Sequence, residues 1–137
     1  MKSDDELQAD ADAIREGFRA HGQAANNNRV VATYQAEDGS LSYSVNSSKS
    51  YKGMDDFAKS LGYQRVSGKA MEGPAQTDAE QIMLNGVDKG KVPDAGRIAT
   101  TQKPCEEFRN SGRPAQNCAA RIASYPGIKL VGTFASG

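Results

Sequence analysis

The chain has 137 residues, of which 37% are hydrophobic and 25% are charged. This length predicts a single domain over residues 1–137 with a sizeable core, and without a run of 18 apolar residues we expect no membrane partner. The 17 basic and 17 acidic residues give a net charge of zero. This balance counts against a protein that binds along duplex nucleic acid, but not against an enzyme that binds a single base in a pocket.

The first predicted element is an amphipathic helix. Ser3 and Glu6 have the spacing of a capping box. One face of the helix is then apolar; it carries Leu7, Ala11, Ile14 and Phe18. Gly22 is the predicted terminator, and His21 beside it is expected to interact with the helix end. The acidic start without an apolar stretch is not typical of a signal peptide.

A β-hairpin is the next predicted element. Its strands cover residues 29–35 and 41–46, and the Asp38-Gly39 pair between them is typical of a tight turn. In the second strand, Leu41, Tyr43 and Val45 alternate with polar residues. This alternation predicts that one face of the strand is buried.

The rest of the chain alternates helices and strands. A short helix with an apolar face ends at Gly62; the face carries Met54, Phe57, Ala58 and Leu61. Residues 63–76 are predicted as loop, and a second helix opens at residues 77–80. A strand over 97–102, a helix over 114–124 and a strand over 128–134 complete the order. The predicted class is therefore α/β, with a mixed sheet of four strands, an opening hairpin then parallel strands, flanked by helices.

Two short motifs carry candidate chemistry. Asp78-Ala79-Glu80 opens one helix, and Pro104-Cys105 follows the next strand, with Cys118 in the helix after it. Structural alternatives exist for each motif. Thr77 and Glu80 also have capping-box spacing, and the two cysteines could form a disulfide or fill the core.

The order of these motifs resembles that of the zinc-dependent nucleic-acid deaminase superfamily, whose signature is a ligand-x-Glu helix followed by a Pro-Cys helix. The chain is most similar to deaminase domains of bacterial polymorphic toxins, over residues 29–134. The resemblance implies a cytidine deaminase-like three-layer fold. It also implies that Asp78, Cys105 and Cys118 hold Zn²⁺, that Glu80 is the catalytic acid and base, and that Asn46 contacts the substrate.

Two features depart from the family pattern. Asp78 stands where the family most often has histidine, although a carboxylate can ligate zinc. Phe108 stands where a second cysteine is usual, and Cys118 lies 13 positions after Cys105. A continuous helix would separate these cysteines by about 20 Å. We expect the chain around Gly112 and Pro114 to interrupt the helix and bring them together.

The resemblance further implies hydrolytic deamination of a nucleobase, cytosine in preference to adenine, in single-stranded DNA or RNA. Such domains are the toxic parts of secreted bacterial effectors, act in the cytoplasm of the target cell and have cognate immunity proteins. Alternatives are an inactive interaction module of the same fold and an unrelated magnesium-dependent nuclease toxin. Asn46 could instead be a turn residue. Aromatic side chains could stack on a base; the candidates are Tyr43, Tyr51 and Tyr63.

Overall fold

The computed structural model describes residues 1–18, 30–46, 52–67, 79–102 and 118–135. The described helices are α1 (Asp4–Phe18), α2 (Lys52–Ser60), α3 (Ala79–Asp88) and α4 (Cys118–Ala123). The described strands are β1 (Val31–Ala36), β2 (Leu41–Val45), β3 (Gln64–Arg65), β4 (Gly96–Thr100) and β5 (Ile128–Leu130). A 3₁₀ turn, Gly132–Phe134, follows β5. None of the described helices has the length and apolar character to cross a membrane.

The five strands form one mixed sheet in the order β3-β2-β1-β4-β5. β1 is antiparallel to both β2 and β4, so that Thr33 lies between Tyr43 and Ala99. β3 is parallel to β2, and β5 is parallel to β4. The predicted opening hairpin and the mixed sheet flanked by helices are thus confirmed. The later strands do pair in parallel with each other, but β4 joins the hairpin antiparallel to β1.

Alternate residues of the strands face two separate clusters of apolar side chains. One cluster lies between the sheet and the layer of α1 and α2; it contains Leu7, Ala11, Ile14, Val31, Tyr43, Val45, Met54, Ala58, Tyr63, Ala99 and Val131. The other lies between the sheet and the layer of α3 and α4; it contains Ala32, Tyr34, Ala36, Ala79, Met83, Leu84, Val87, Val92, Ile98, Ile122 and Ile128. Helices therefore cover both faces of the sheet.

The predicted buried face of the second strand is confirmed at Tyr43 and Val45, and its opposite face is covered as well. Ser44 points away from Tyr43 and Val45, yet it is also fully buried. The reason is the second helical layer, because the Ser44 hydroxyl donates a hydrogen bond to the carbonyl oxygen of Ala79 at the start of α3. Alternation of polar and apolar residues cannot show that a small polar residue is covered by a helix.

The segment predicted as loop after Gly62 contains a strand. Gln64 and Arg65 pair in parallel with β2, and the N–H of Val66 continues the pairing by donating to the carbonyl oxygen of Tyr43 at 2.8 Å. A two-residue strand has no pattern of its own, so its pairing partner determines it. β3 brings the described strands to five, one more than the sequence predicted.

Two further expectations are corrected, one inside α2 and one at the end of the last strand. Phe57 was expected on the buried face of α2, but it is 37% exposed, and Met54 and Ala58, four positions apart, form that face instead. The last strand was expected over 128–134, but β5 ends at Leu130. Gly132 has a positive φ of 86°, which takes the chain out of extended geometry and into the 3₁₀ turn.

Candidate active site

The carboxyl ends of β2 and β4 lie at one edge of the sheet, because both strands run antiparallel to β1. Val45 and Thr100, at these ends, flank the start of β1. α3 begins at the same edge, where the Ser44 hydroxyl holds the carbonyl oxygen of Ala79 at 2.6 Å. Glu80, the next residue, is therefore positioned beside the carboxyl end of β2.

Glu80 is a buried carboxylate in the first turn of α3. It is only 5% exposed, and a charge removed from water is costly unless nearby groups stabilise it. The start of a helix does so, because its first N–H groups and the helix dipole favour negative charge. Exclusion from water at such a position makes Glu80 a candidate for proton transfer in an active site.

α4 starts toward the same edge as α3. The chain leaves β4 at Thr100 on this edge and returns to the opposite edge at Ile128, which pairs with Gly96. At its far end α4 meets the far end of α3, where the Tyr125 hydroxyl donates to Asp88 at 2.6 Å. The two helices therefore run in the same direction, and the first residue of α4, Cys118, lies toward the edge that carries Glu80.

Asn46 also belongs to this edge, directly after β2. Its side-chain oxygen accepts a hydrogen bond from the N–H of Val30 at 2.9 Å, and its own N–H donates to the carbonyl oxygen of Val30 at 3.1 Å. These bonds close the open end of the hairpin, so Asn46 has a structural role there. Its predicted contact with substrate stays a prediction.

The predicted metal ligands are largely beyond what the structure describes. Asp78 and Cys105 lie outside the described residues, as does His21, and for Cys118 only the backbone is described. Within the described ranges, no three His, Cys, Asp or Glu residues are grouped as a metal site requires. As a donor set, two thiolates and one carboxylate suit zinc, whereas magnesium selects oxygen ligands alone.

The tyrosines near β3 are not platforms for a base. Tyr43 and Tyr63 are 1% and 2% exposed. The Tyr43 hydroxyl donates to Asp55, and the Tyr63 hydroxyl donates to Asp10 at 2.8 Å. Burial raises the pKa of both phenols. Tyr43 is a core residue, as its place on the apolar side of β2 predicts, and the stacking hypothesis fails for Tyr63; Tyr51 lies outside the described residues.

One residue near the site was missed by sequence reasoning. Arg121, in α4, is only 8% exposed, and its guanidinium contacts two side chains of α3, Gln81 and Asp88. A charged residue usually faces water, and the sequence around Arg121 does not show which partners bury it. Only the neighbouring Ile122, on the apolar side of α4, hints that this helix packs closely.

The chain was compared with protein-family models, with curated proteins and with solved structures, and no significant match was found in any of the three. The function is therefore argued from the geometry of this edge: a buried Glu80 at the start of one helix, and Cys118 at the start of the next.

Proposed function

We propose that this chain is a zinc-dependent nucleobase deaminase with a cytidine deaminase-like fold. The observation that carries the proposal is the buried Glu80 in the first turn of α3, at the sheet edge toward which α4 begins with Cys118. The element order supports it, because a helix carrying Ala79-Glu80 precedes β4, and Pro104-Cys105 lies between β4 and α4.

In this proposal Asp78, Cys105 and Cys118 hold the zinc. Zinc, when bound, supplies the Lewis acidity that makes water a nucleophile near neutral pH. Glu80 takes one proton from the attacking water and gives it to the ring nitrogen of the base. Glu80 then takes the second proton of that water and transfers it to the departing amine, which leaves as ammonia. Asn46 contacts the substrate at the open end of the hairpin, directly after β2.

The substrate class follows from whether the reacting carbon of the base can be reached. The carbon that bears the exocyclic amine is unreachable inside a duplex, so the base must come from a single strand or be extruded. The zero net charge agrees with a protein that contacts few phosphates. We assign the base as cytosine in preference to adenine, and the biological role as the toxic domain of a secreted bacterial effector that acts in the target cytoplasm and is neutralised by an immunity protein.

Zinc stoichiometry tests the metal site. We expect close to one zinc per wild-type chain, and we expect Asp78→Ala to lose it because a ligand is removed. Asp78→His should retain zinc, since imidazole is a common zinc ligand. Asp78→Asn is the matched control for charge alone. If Asp78 only interacts with the helix dipole, this variant should lose about 0.3–1 kcal/mol of stability and keep its zinc.

Two outcomes contradict the metal site. A Cys105–Cys118 disulfide in metal-free protein excludes a shared zinc. Full zinc occupancy in both Asp78→Ala and Asp78→Asn excludes Asp78 as a ligand. Strand scission that requires magnesium would instead favour a nuclease.

A further inference from the structure

The Arg121 guanidinium links α4 to two positions on α3. One nitrogen lies 2.7 Å from a carboxylate oxygen of Asp88, and another donates to the side-chain oxygen of Gln81. Gln81 and Asp88 are seven positions apart and so share one face of α3. The Tyr125 hydroxyl completes this Arg121 network by donating to the other oxygen of Asp88 at 2.6 Å. A planar fork with several donors suits such a two-point attachment, whereas the ammonium of lysine does not.

Ile122 packs α4 into the apolar cluster on this side of the sheet, and apolar packing is non-directional. The Asp88 carboxylate is half-exposed, and an ion pair with an exposed partner adds little stability. What Arg121 adds is direction: its contacts fix where α4 lies along α3.

Two members of this network, Gln81 and Arg121, lie close in sequence to the proposed catalytic groups. Gln81 directly follows Glu80, and Cys118 precedes Arg121 by three positions, which is about one helical turn. We propose that Arg121 is a positioning residue, which fixes the helix that carries Cys118 against the helix that carries Glu80. The proposal rests on the proposed deaminase function and adds to it a residue outside the family signature.

Arg97 provides a matched control on the other face of the sheet. It binds the same two residue types: its guanidinium contacts Asp4 at 2.6 Å and the side-chain oxygen of Gln35 at 2.9 Å. The Arg97 side chain is 23% exposed, against 10% for Arg121. It joins β4 and β1 to the start of the chain and has no contact with the α3 and α4 layer among its described bonds.

The test compares Arg121→Lys with Arg97→Lys. Each variant keeps the positive charge of the side chain and loses the planar guanidinium with its several donors. With cytosine-containing single-stranded DNA and RNA oligonucleotides as probes, and well below both melting temperatures, we expect Arg121→Lys to lower kcat by about 10- to 100-fold, as loss of a supporting contact around a metal site does. KM should change less than about twofold, and chelators should remove zinc faster. Arg97→Lys should leave kcat, KM and zinc retention near wild-type values.

Tyr125→Phe gives a milder disturbance that keeps Arg121 itself, and we expect a smaller loss of kcat in the same direction. Equal kcat losses in the Arg121 and Arg97 variants would mean that the effect comes from a general loss of stability, and would overturn the proposal. Unchanged kcat and zinc retention in Arg121→Lys would overturn it while leaving the deaminase function intact. A wild-type chain that has neither zinc nor activity would overturn both.

Discussion

The two helical layers bury different kinds of residue. α1 buries a stripe of four residues, Leu7, Gln8, Ala11 and Ile14, and exposes its acidic face. α3 is buried continuously from Ala79 to Val87, and this stretch contains polar residues as well; they are Glu80, Gln81 and Asn85. The α1 pattern is that of a helix that stabilises a fold, whereas each buried polar residue of α3 must find a hydrogen-bond partner or cost free energy.

The buried amides of the two layers show the same contrast. The Gln8 side chain donates to the carbonyl oxygen of Thr100 at 2.9 Å and accepts from the N–H of Thr133 at 3.1 Å. The side-chain nitrogen of Asn85 is buried without a hydrogen-bond partner among the described residues. The Gln8 side chain therefore stabilises the packing, while the side-chain nitrogen of Asn85 is retained at a cost. Such local conflicts are expected where a sequence is selected for function.

The largest expected effect is a loss of stability in alkali, which both layers should share. Burial raises the pKa of Tyr34, on the α3 side, to about 12, and burial raises the pKa of Tyr43 and Tyr63, on the α1 side. An unfolded tyrosine titrates near 10. Because the folded pKa values are higher, this stability is complete below about pH 10 and is lost as the pH rises through the folded values.

Denaturant unfolding between pH 8 and 12, followed with tyrosinate absorbance, measures this loss. Tyr34→Phe and Tyr43→Phe remove one ionisation from each layer, and each should make the free energy of unfolding depend less on pH. Tyrosinate absorbance that rises fully near pH 10 while the protein stays folded would contradict the burial of these rings.

Replacing Gln8 and Asn85 by leucine tests the contrast directly. Gln8→Leu should lower the free energy of unfolding by about 1–3 kcal/mol, because the carbonyl oxygen of Thr100 and the N–H of Thr133 lose their hydrogen-bond partners. Asn85→Leu should be neutral or stabilising, because it removes a buried donor that has no described acceptor. Chemical denaturation of both variants beside wild type decides the point. A greater loss in Asn85→Leu than in Gln8→Leu would show that the two layers do not differ as described.

Local features of the fold could be predicted from sequence because neighbouring residues determine them. The Ser3–Glu6 capping box forms with reciprocal bonds of 3.1 and 3.2 Å. The hairpin turns at Gly39, whose φ is 93°, and the Asp38 side chain accepts the N–H of Ser40. Both features involve residues within three positions of each other, so the sequence window contains all of their partners.

Features that depend on distant partners could not be predicted in this way. β3 is a strand because β2 lies beside it, and Ser44 is buried because α3 covers it. Arg121 is buried because it packs against Gln81 and Asp88, which lie more than 30 positions earlier in the chain. For the candidate site, the helix start that carries Glu80 was predicted. The ligand set of Asp78, Cys105 and Cys118 stays a prediction from the resemblance.

The central claim is that Glu80 transfers protons at the edge where α3 and α4 begin. Its most direct test is conversion of cytosine to uracil in single-stranded oligonucleotides by zinc-loaded wild type and by Glu80→Gln, which keeps the shape of the side chain and removes its basicity. We predict that wild type deaminates and that Glu80→Gln is slower by about 100-fold or more, with unchanged zinc content and a similar melting temperature. Equal rates in the two proteins, or no deamination by zinc-loaded wild type, would contradict the claim.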